Sequence, residues 1–332
     1  MRHFLSTEDW SGVEIAQMLE VATQLKRQPL QTTMQGKSIA LVFFNNSLRT
    51  RTSFEIGAWQ LGGKAIVLNP GKDAWPLAYD FGAVMDGTAE EHVAEAAQVL
   101  SRYCDLIAVR CFPAFQNWEL DREDKVINAF AEHASVPVIN METIVHPCQE
   151  LALAMTMQEQ FGNLENRKFV LTWTYHPRPL NTAVANSALM IATKMGMDVT
   201  LLCPSEDYLL DARFMEAAQD YSAAAGHQLT VSHDIESAYA NAEMVYAKSW
   251  GALPYFGRWE EEKPIRDACQ HFIVDEKKMA LTNKARFSHC LPLRRNVKAT
   301  DVVMDADYCI AIDEAENRLH VQKALMTTLL NQ

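Results

Sequence analysis

The sequence predicts an α/β protein of two doubly wound domains. Each has a central parallel sheet flanked by helices, with the active site in the interdomain cleft. Three observations carry this. Short apolar, β-rich runs alternate with helical stretches along the chain, the pattern of βαβ units. Several runs are apolar on both faces, as strands covered on both sides are. The 332 residues suffice for two domains of ordinary size. The best boundary lies near residue 150, where one βα series ends in a long helix and another begins. The expected domains are 1–150 and 151–314, with the C-terminal helix, about 315–332, packing back on the first. Ligands in such folds sit beyond the carboxyl ends of strands.

The elements follow in order. Ser11 and Glu14 are spaced as a capping box, and Ile15, Met18, Leu19, Ala22 and Leu25 share one helical face behind it. Strands are expected over 38–44, 64–68, 105–110 and 136–140 in the first domain. In the second they are expected over 168–173, 198–203, 243–247, 272–275 and 287–291. Helical periodicity marks 90–103, 149–161, 181–195 and 318–330. Gly62-Gly63 reads as a helix stop.

Composition excludes several classes. Lys plus Arg total 30 against 42 Asp plus Glu, a formal net charge of −12, the wrong sign for a general nucleic-acid binder. No run approaches the ~18 apolar residues of a membrane span. The N-terminal stretch lacks an apolar signal core, so export is not expected. The seven cysteines are odd in number and widely spaced, and no C-x-x-C pair occurs. That opposes a disulfide framework and a zinc site and favours the reducing cytoplasm.

The most informative stretch is Asn46-Ser47-Leu48-Arg49-Thr50-Arg51-Thr52-Ser53-Phe54-Glu55, between a strong strand and a helix. Arg49 and Arg51 fall near a helix N-terminus, where the dipole already supplies positive charge. A bound anion would resolve that conflict, with arginine suited to forked contacts on phosphate oxygens. A solvated turn with two surface arginines is the other reading. Neither G-x-G-x-x-G nor G-x-x-x-x-G-K-[ST] occurs, which disfavours a nicotinamide-dependent oxidoreductase and a nucleotide loop. His146-Pro147-Cys148-Gln149 stands at a second strand-to-helix junction. His146 reads as structural or catalytic. Cys148 as a nucleophile is disfavoured, because adjacency in sequence is not Cys–His pairing geometry. His289-Cys290-Leu291-Pro292 ends another strand, and Glu316-Asn317-Arg318-Leu319-His320-Val321-Gln322-Lys323-Ala324 opens the C-terminal helix.

In that order, S-x-R-T-R-x-S-F-E, H-P-x-Q, H-C-L-P and E-N-R-L-H-x-Q-K-A resemble the aspartate/ornithine carbamoyltransferase family across nearly the whole chain. The resemblance implies a first domain holding carbamoyl phosphate, a second holding the amine acceptor, and a homotrimer. It implies that Ser47, Leu48, Arg49 and Thr50 grip the phosphate and that Arg110 reaches the carbamoyl group. His146 and Gln149 would orient that group, with Pro147 and Cys148 beside them. Cys290 and Leu291 would offer backbone carbonyls to its NH2, and Arg318 would complete the anion cradle. Arg49, Arg110, His146 and Gln149 are thus the expected catalytic set. No metal or organic cofactor is implied. Leu153 departs from the family, where many relatives have Asp.

The acceptor is read from further departures. Lys248, in Lys248-Ser249-Trp250-Gly251, stands where ornithine enzymes carry an Asp that receives the free α-ammonium. The reversed charge suits an ornithine whose α-amine is acylated; a solvent-facing Lys on a shifted loop is the alternative. This stretch, N-M-E-T-x-x-H-P-C-Q and R-R-N-V-K-A-T-D resemble the branch of the family that uses N-acetylornithine. That likeness implies an acceptor site of Glu142, Lys248, Leu291, Glu90 and Arg295. Glu90 would repel a succinyl carboxylate and so favour acetyl. Trp75, on a Gly/Pro loop, would reach a neighbouring subunit's site, or else serve trimer packing. Lys298 matches a lysine that is carboxylated in that branch. Use of N-succinylornithine or free ornithine, and a non-catalytic binder of phosphate metabolites, are the rival readings; the intact cradle opposes the last.

Overall fold

The computed structural model describes residues 1–80 and 82–332. The chain divides into two compact units. The first comprises Met1–Ala114, Glu119–Leu151 and Asn317–Gln332; the second comprises Phe115–Trp118 and Ala152–Glu316.

In the first unit the strands are β1 (Ser38–Phe43), β2 (Lys64–Leu68), β3 (Leu77–Ala78), β4 (Glu91–His92), β5 (Leu106–Arg110) and β6 (Val138–Glu142). Four form a parallel sheet in the order β2-β1-β5-β6. All of β5 and β6 and nearly all of β1 are buried, which explains the apolar runs of β1 and β5, while β6 also buries Asn140 and, at its end, Glu142. One face packs Ala40, Val42, Ile107 and Val109 against Val93, Ala97, Ile127 and Phe130. The first helix, Gly12–Arg27, carries the capping box: Ser11 Oγ accepts from Glu14 N at 3.3 Å, and Glu14 Oε2 accepts from Ser11 N at 2.8 Å. The helix expected over 90–103 begins at Val93, because Glu91 and His92 pair with Leu77 and Ala78 instead.

The helix Arg49–Gln60 stops where foreseen. Gly62 has φ +81°, and a Cβ on Gly63 would lie 2.6 Å from Met34 Cβ. Gly57 lets this helix approach the C-terminal one: a Cβ there would already touch Lys323 Cγ and Met326 Cε at 3.3 Å. Lys323, buried on the C-terminal helix, donates to Leu25 O (3.0 Å), Pro29 O (3.4 Å) and Gln60 Oε1 (2.8 Å). These contacts anchor the helix that carries Arg318, five residues earlier.

The second unit holds β7 (Lys168–Trp173), β8 (Asp198–Leu202), β9 (Thr230–Ser232), β10 (Met244–Lys248) and β11 (Arg286–Ser288), parallel in the order β11-β10-β7-β8-β9. Three points differ from expectation. Residues 272–275 are not a strand: Gln270–Phe272 is a 3₁₀ turn, and only Val274 bridges, to Ala299, before Asp275 caps the next helix. The edge strand β9 went unforeseen, being three residues long and largely exposed. The last strand ends at Ser288, so His289–Pro292 are loop, with Leu291 at φ +52° before a cis proline.

Each sheet has a switch point, where strand order reverses and ligands bind beyond the carboxyl ends. In the first unit it lies between β1 and β5, and in the second between β7 and β10.

Candidate functional site

The first switch point gathers the residues singled out from sequence. β1 runs into Ser47–Thr50, and its last residue, Phe43, pairs with Arg110 at the end of β5. Ser47 Oγ accepts from Thr50 N at 3.1 Å and turns the chain into the helix Arg49–Gln60. That helix has no side-chain cap at Leu48 and no acidic residue in its first turn. Its dipole and Arg49 thus concentrate positive charge there.

Buried beneath this turn is Arg318. Its Nη2 donates to Thr50 Oγ1 at 3.1 Å, and its Nη1 donates to Gln149 Oε1 at 2.6 Å and lies 3.4 Å from His146 Nε2. His146 Nε2 is 3.3 Å from Glu142 Oε2, and Glu142 is ion-paired with Arg110. A continuous polar chain therefore links Thr50, Arg318, Gln149, His146, Glu142 and Arg110, all at most 8% exposed. Arg110 also lies over the Phe112 ring, 4.5 Å from its centroid. Arg110 and Arg318 thus bring two guanidinium groups into a desolvated setting beside the Glu142 carboxylate, with Arg49 at the start of the adjoining helix. Such a site suits a compact dianion and favours charge growing on a bound oxygen.

Pro147 opens the helix Pro147–Phe161, and Cys148 points inward. Its Sγ donates to Asn140 O at 3.6 Å, and burial pushes the thiol up to about 12. It is not a nucleophile at neutral pH. Leu153, on the same helix, is also buried. Trp75 is 66% exposed on the loop before β3. Glu90 is exposed nearby, its backbone N donating to Pro76 O at 3.1 Å. The β3–β4 pairing thus brings the Trp75 loop beside Glu90.

In the second unit, Lys248 ends β10 opposite Trp173 at the end of β7. It is half-buried, and its Nζ has no partner among the described residues. At the end of β11, His289 Nδ1 accepts from Leu291 N at 2.8 Å and its Nε2 lies 3.4 Å from Lys298 Nζ. The carbonyls of Cys290 and Leu291 accept no hydrogen bond from the described residues, leaving two acceptors open to a ligand. Lys298 is 2% exposed; burial, aided by the Lys248 charge, pulls its amine down to about 7. Arg295 is exposed and engaged with Asp301 (2.9 Å) and Asp305 (2.6 Å). His289 is the residue that sequence reading passed over while attending to its neighbours Cys290 and Leu291. A histidine at a strand end, two residues before a backbone turn, was the available signal.

Residues 2–159 match the aspartate/ornithine carbamoyltransferase, carbamoyl-P binding domain, and residues 174–329 match the Asp/Orn binding domain of the same family. The chain belongs to the aspartate/ornithine carbamoyltransferase family. It is 67% identical to an N-acetylornithine carbamoyltransferase of Xanthomonas campestris pv. campestris, covering 100% of this chain and 98% of that protein. A solved acetylornithine transcarbamylase complexed with acetylcitrulline is 67% identical, with a TM-score of 0.99 and full coverage of both chains. A single-residue variant of N-acetyl-L-ornithine transcarbamylase, complexed with carbamyl phosphate and N-succinyl-L-norvaline, has a TM-score of 0.98. It is also 67% identical and covers 99% of this chain and 100% of that one. No helix among the described residues is long and apolar enough to cross a membrane.

Proposed function

We propose that this protein transfers the carbamoyl group of carbamoyl phosphate to the side-chain amine of N2-acetyl-L-ornithine, giving N-acetyl-L-citrulline and phosphate. The observation that carries the reading is the buried chain centred on Arg318, in a protein 67% identical over its whole length to an N-acetylornithine carbamoyltransferase. Arg49, Arg318, Ser47, Thr50 and the first-turn backbone hold the phosphate. His146 and Arg110 face the carbamoyl oxygen, Gln149 orients the group, and the free carbonyls of Cys290 and Leu291 receive its NH2. Glu142 and Lys248 hold the acceptor.

The neutral amine attacks the carbamoyl carbon, and the C–O bond to phosphate breaks. Negative charge grows first on the carbonyl oxygen and then on the leaving phosphate, where fixed cations stabilise it. The departing phosphate accepts the amine proton, so atoms and charge balance without a protein base. Holding both substrates together supplies much of the remaining acceleration.

Lys248 supports an acylated acceptor, because an unpaired cation attracts an α-carboxylate and repels a free α-ammonium. Glu90 supports acetyl over succinyl by like-charge repulsion. Lys298, desolvated and with its amine pulled down to about 7, holds a substantial neutral fraction at pH 7, the form that carboxylation by carbon dioxide requires. Trp75 is read as a contribution to a neighbouring site in a homotrimer. The free thiols of all seven cysteines fit a cytoplasmic enzyme of arginine biosynthesis.

The test supplies carbamoyl phosphate with N-acetylornithine, N-succinylornithine, ornithine or aspartate, and follows phosphate and ureido product. Turnover with N-acetylornithine alone is expected. Turnover chiefly with free ornithine overturns the role given to Lys248.

A further inference from the structure

We infer that the buried ion pair of Glu262 and Arg266 is a positioning device for the acceptor half-site, fixing the two loops that flank Lys248. The inference rests on the acceptor reading above and goes beyond it by naming what sets the geometry.

The helix Trp259–Asp267 carries Glu262, 0% exposed, and Arg266, 2% exposed, one turn apart and ion-paired. Neither is explained by packing alone, since a buried pair is often replaceable by apolar residues without loss of stability. Apart from Tyr208, in the turn after β8, their outward contacts go to two neighbouring loops. Glu262 Oε1 accepts from Ala252 N at 3.2 Å and from Tyr208 Oη at 3.1 Å. Arg266 Nη2 donates to Pro177 O at 3.3 Å, and Asp267 Oδ1, on the same helix, accepts from Tyr175 Oη at 3.0 Å. Ala252 lies in the loop after β10, and Tyr175 and Pro177 lie in the loop after β7. These are the two loops at the switch point of the second sheet.

Further bonds make the pair of loops one unit. Trp173 Nε1 donates to Trp250 O at 2.9 Å, Trp250 Nε1 donates to Tyr208 O at 2.9 Å, and Gly251 N donates to Leu180 O at 3.0 Å. Gly251 has no room for a side chain: a Cβ would lie 2.7 Å from Trp259 and 2.9 Å from Pro179. The carboxylate and guanidinium thus grip both loops, at Ala252, four residues after Lys248, and at Pro177, four residues after its register partner Trp173. Charged groups hold neutral backbone partners more strongly than neutral side chains do.

The test uses the full-length protein and three variants: Glu262→Ala, Glu262→Gln, and the double variant Glu262→Met with Arg266→Leu. KM for each substrate, kcat, and hydrogen exchange over 174–182 and 249–255 are measured. Glu262→Ala is expected to raise the acceptor KM by roughly tenfold to a hundredfold through misplacement of the loops. It is expected to leave the carbamoyl-phosphate KM within about twofold, as for an independent site, and to speed exchange over both segments. Glu262→Gln, which keeps an oxygen for Ala252 N, falls between. The double variant tests the idea should Glu262→Ala not fold, because it removes both charges together. A folded double or Gln variant with wild-type acceptor KM and wild-type exchange overturns the inference. Wild-type protein that ignores N-acetylornithine sinks the acceptor reading instead, and the exchange data still decide whether the pair holds the loops.

Discussion

Arg318 shows how one side chain acquires a function from its surroundings. Its sequence setting, in Glu316-Asn317-Arg318-Leu319-His320, is that of an ordinary amphipathic helix. Only burial against Thr50, Gln149 and His146 makes it the centre of a polar chain beneath the helix start. Arg318→Met is expected to lower kcat/KM for carbamoyl phosphate by roughly 10²–10³-fold, the usual cost of removing one charge-stabilising donor. Steady-state kinetics decide this, and an unchanged value removes Arg318 from the site. Lys298 gives a pH prediction. Its folded-state value near 7 lies below the ordinary 10.5. The unfolded chain therefore binds more protons between those values, and this residue makes stability rise with pH from about 7 to 10.5. In bicarbonate-free buffer, wild type should gain stability on Lys298→Met as pH is raised from 7 to 10, read by denaturant titration at each pH. A difference independent of pH would mean that the buried amine does not titrate there. At this scale the sequence was informative about identity and silent about state. Cys148 shows the gap: the letters H-P-C-Q place a thiol beside a histidine, and burial makes that thiol inert.

Among the elements, those with local determinants were legible. The helix Gly12–Arg27 starts at its capping box and β1 and β5 follow their apolar runs, because caps and hydrophobic period are written within a few residues. The failures were elements defined by distant partners. Residues 272–275 have strand composition but find only one bridging neighbour, whereas the short β9 exists only because β8 lies beside it. Two substitutions separate local from tertiary contributions. Ser11→Ala should cost about 1 kcal/mol of stability through the lost cap, with kinetics unchanged. Gly57→Leu should cost about 1–3 kcal/mol through overpacking and should also weaken carbamoyl phosphate binding. The second effect follows because Gly57 meets Lys323 and Met326 on the helix that carries Arg318. Thermal unfolding together with KM measurements distinguishes the two. A Gly57→Leu protein with normal carbamoyl-phosphate KM would uncouple helix spacing from the site.

At the scale of the whole molecule, the expected assembly is a trimer that shares sites through Trp75. Mixing inactive Trp75→Ala and Arg318→Met proteins under subunit exchange should restore activity at about a quarter of the sites, by random assortment around a three-fold ring. No recovery, with hybrids verified by native mass spectrometry, would confine Trp75 to packing. What the sequence determined by itself was the family and the fold class. Four motifs in order and a regular alternation of apolar runs depend only on residue types and their spacing. It also supplied most members of the candidate site, since strand ends and helix starts are local features. What only the tertiary structure decided was which of those members meet. Arg318 reaches Thr50 and Gln149 from far along the chain, while Arg295 is drawn away to Asp301 and Asp305. The Glu262–Arg266 pair had no motif to announce it. Desolvation and hydrogen-bond geometry are properties of a packed interior, so the charge state of Lys298 and the grip on the loops beside Lys248 arise only once the chain has folded.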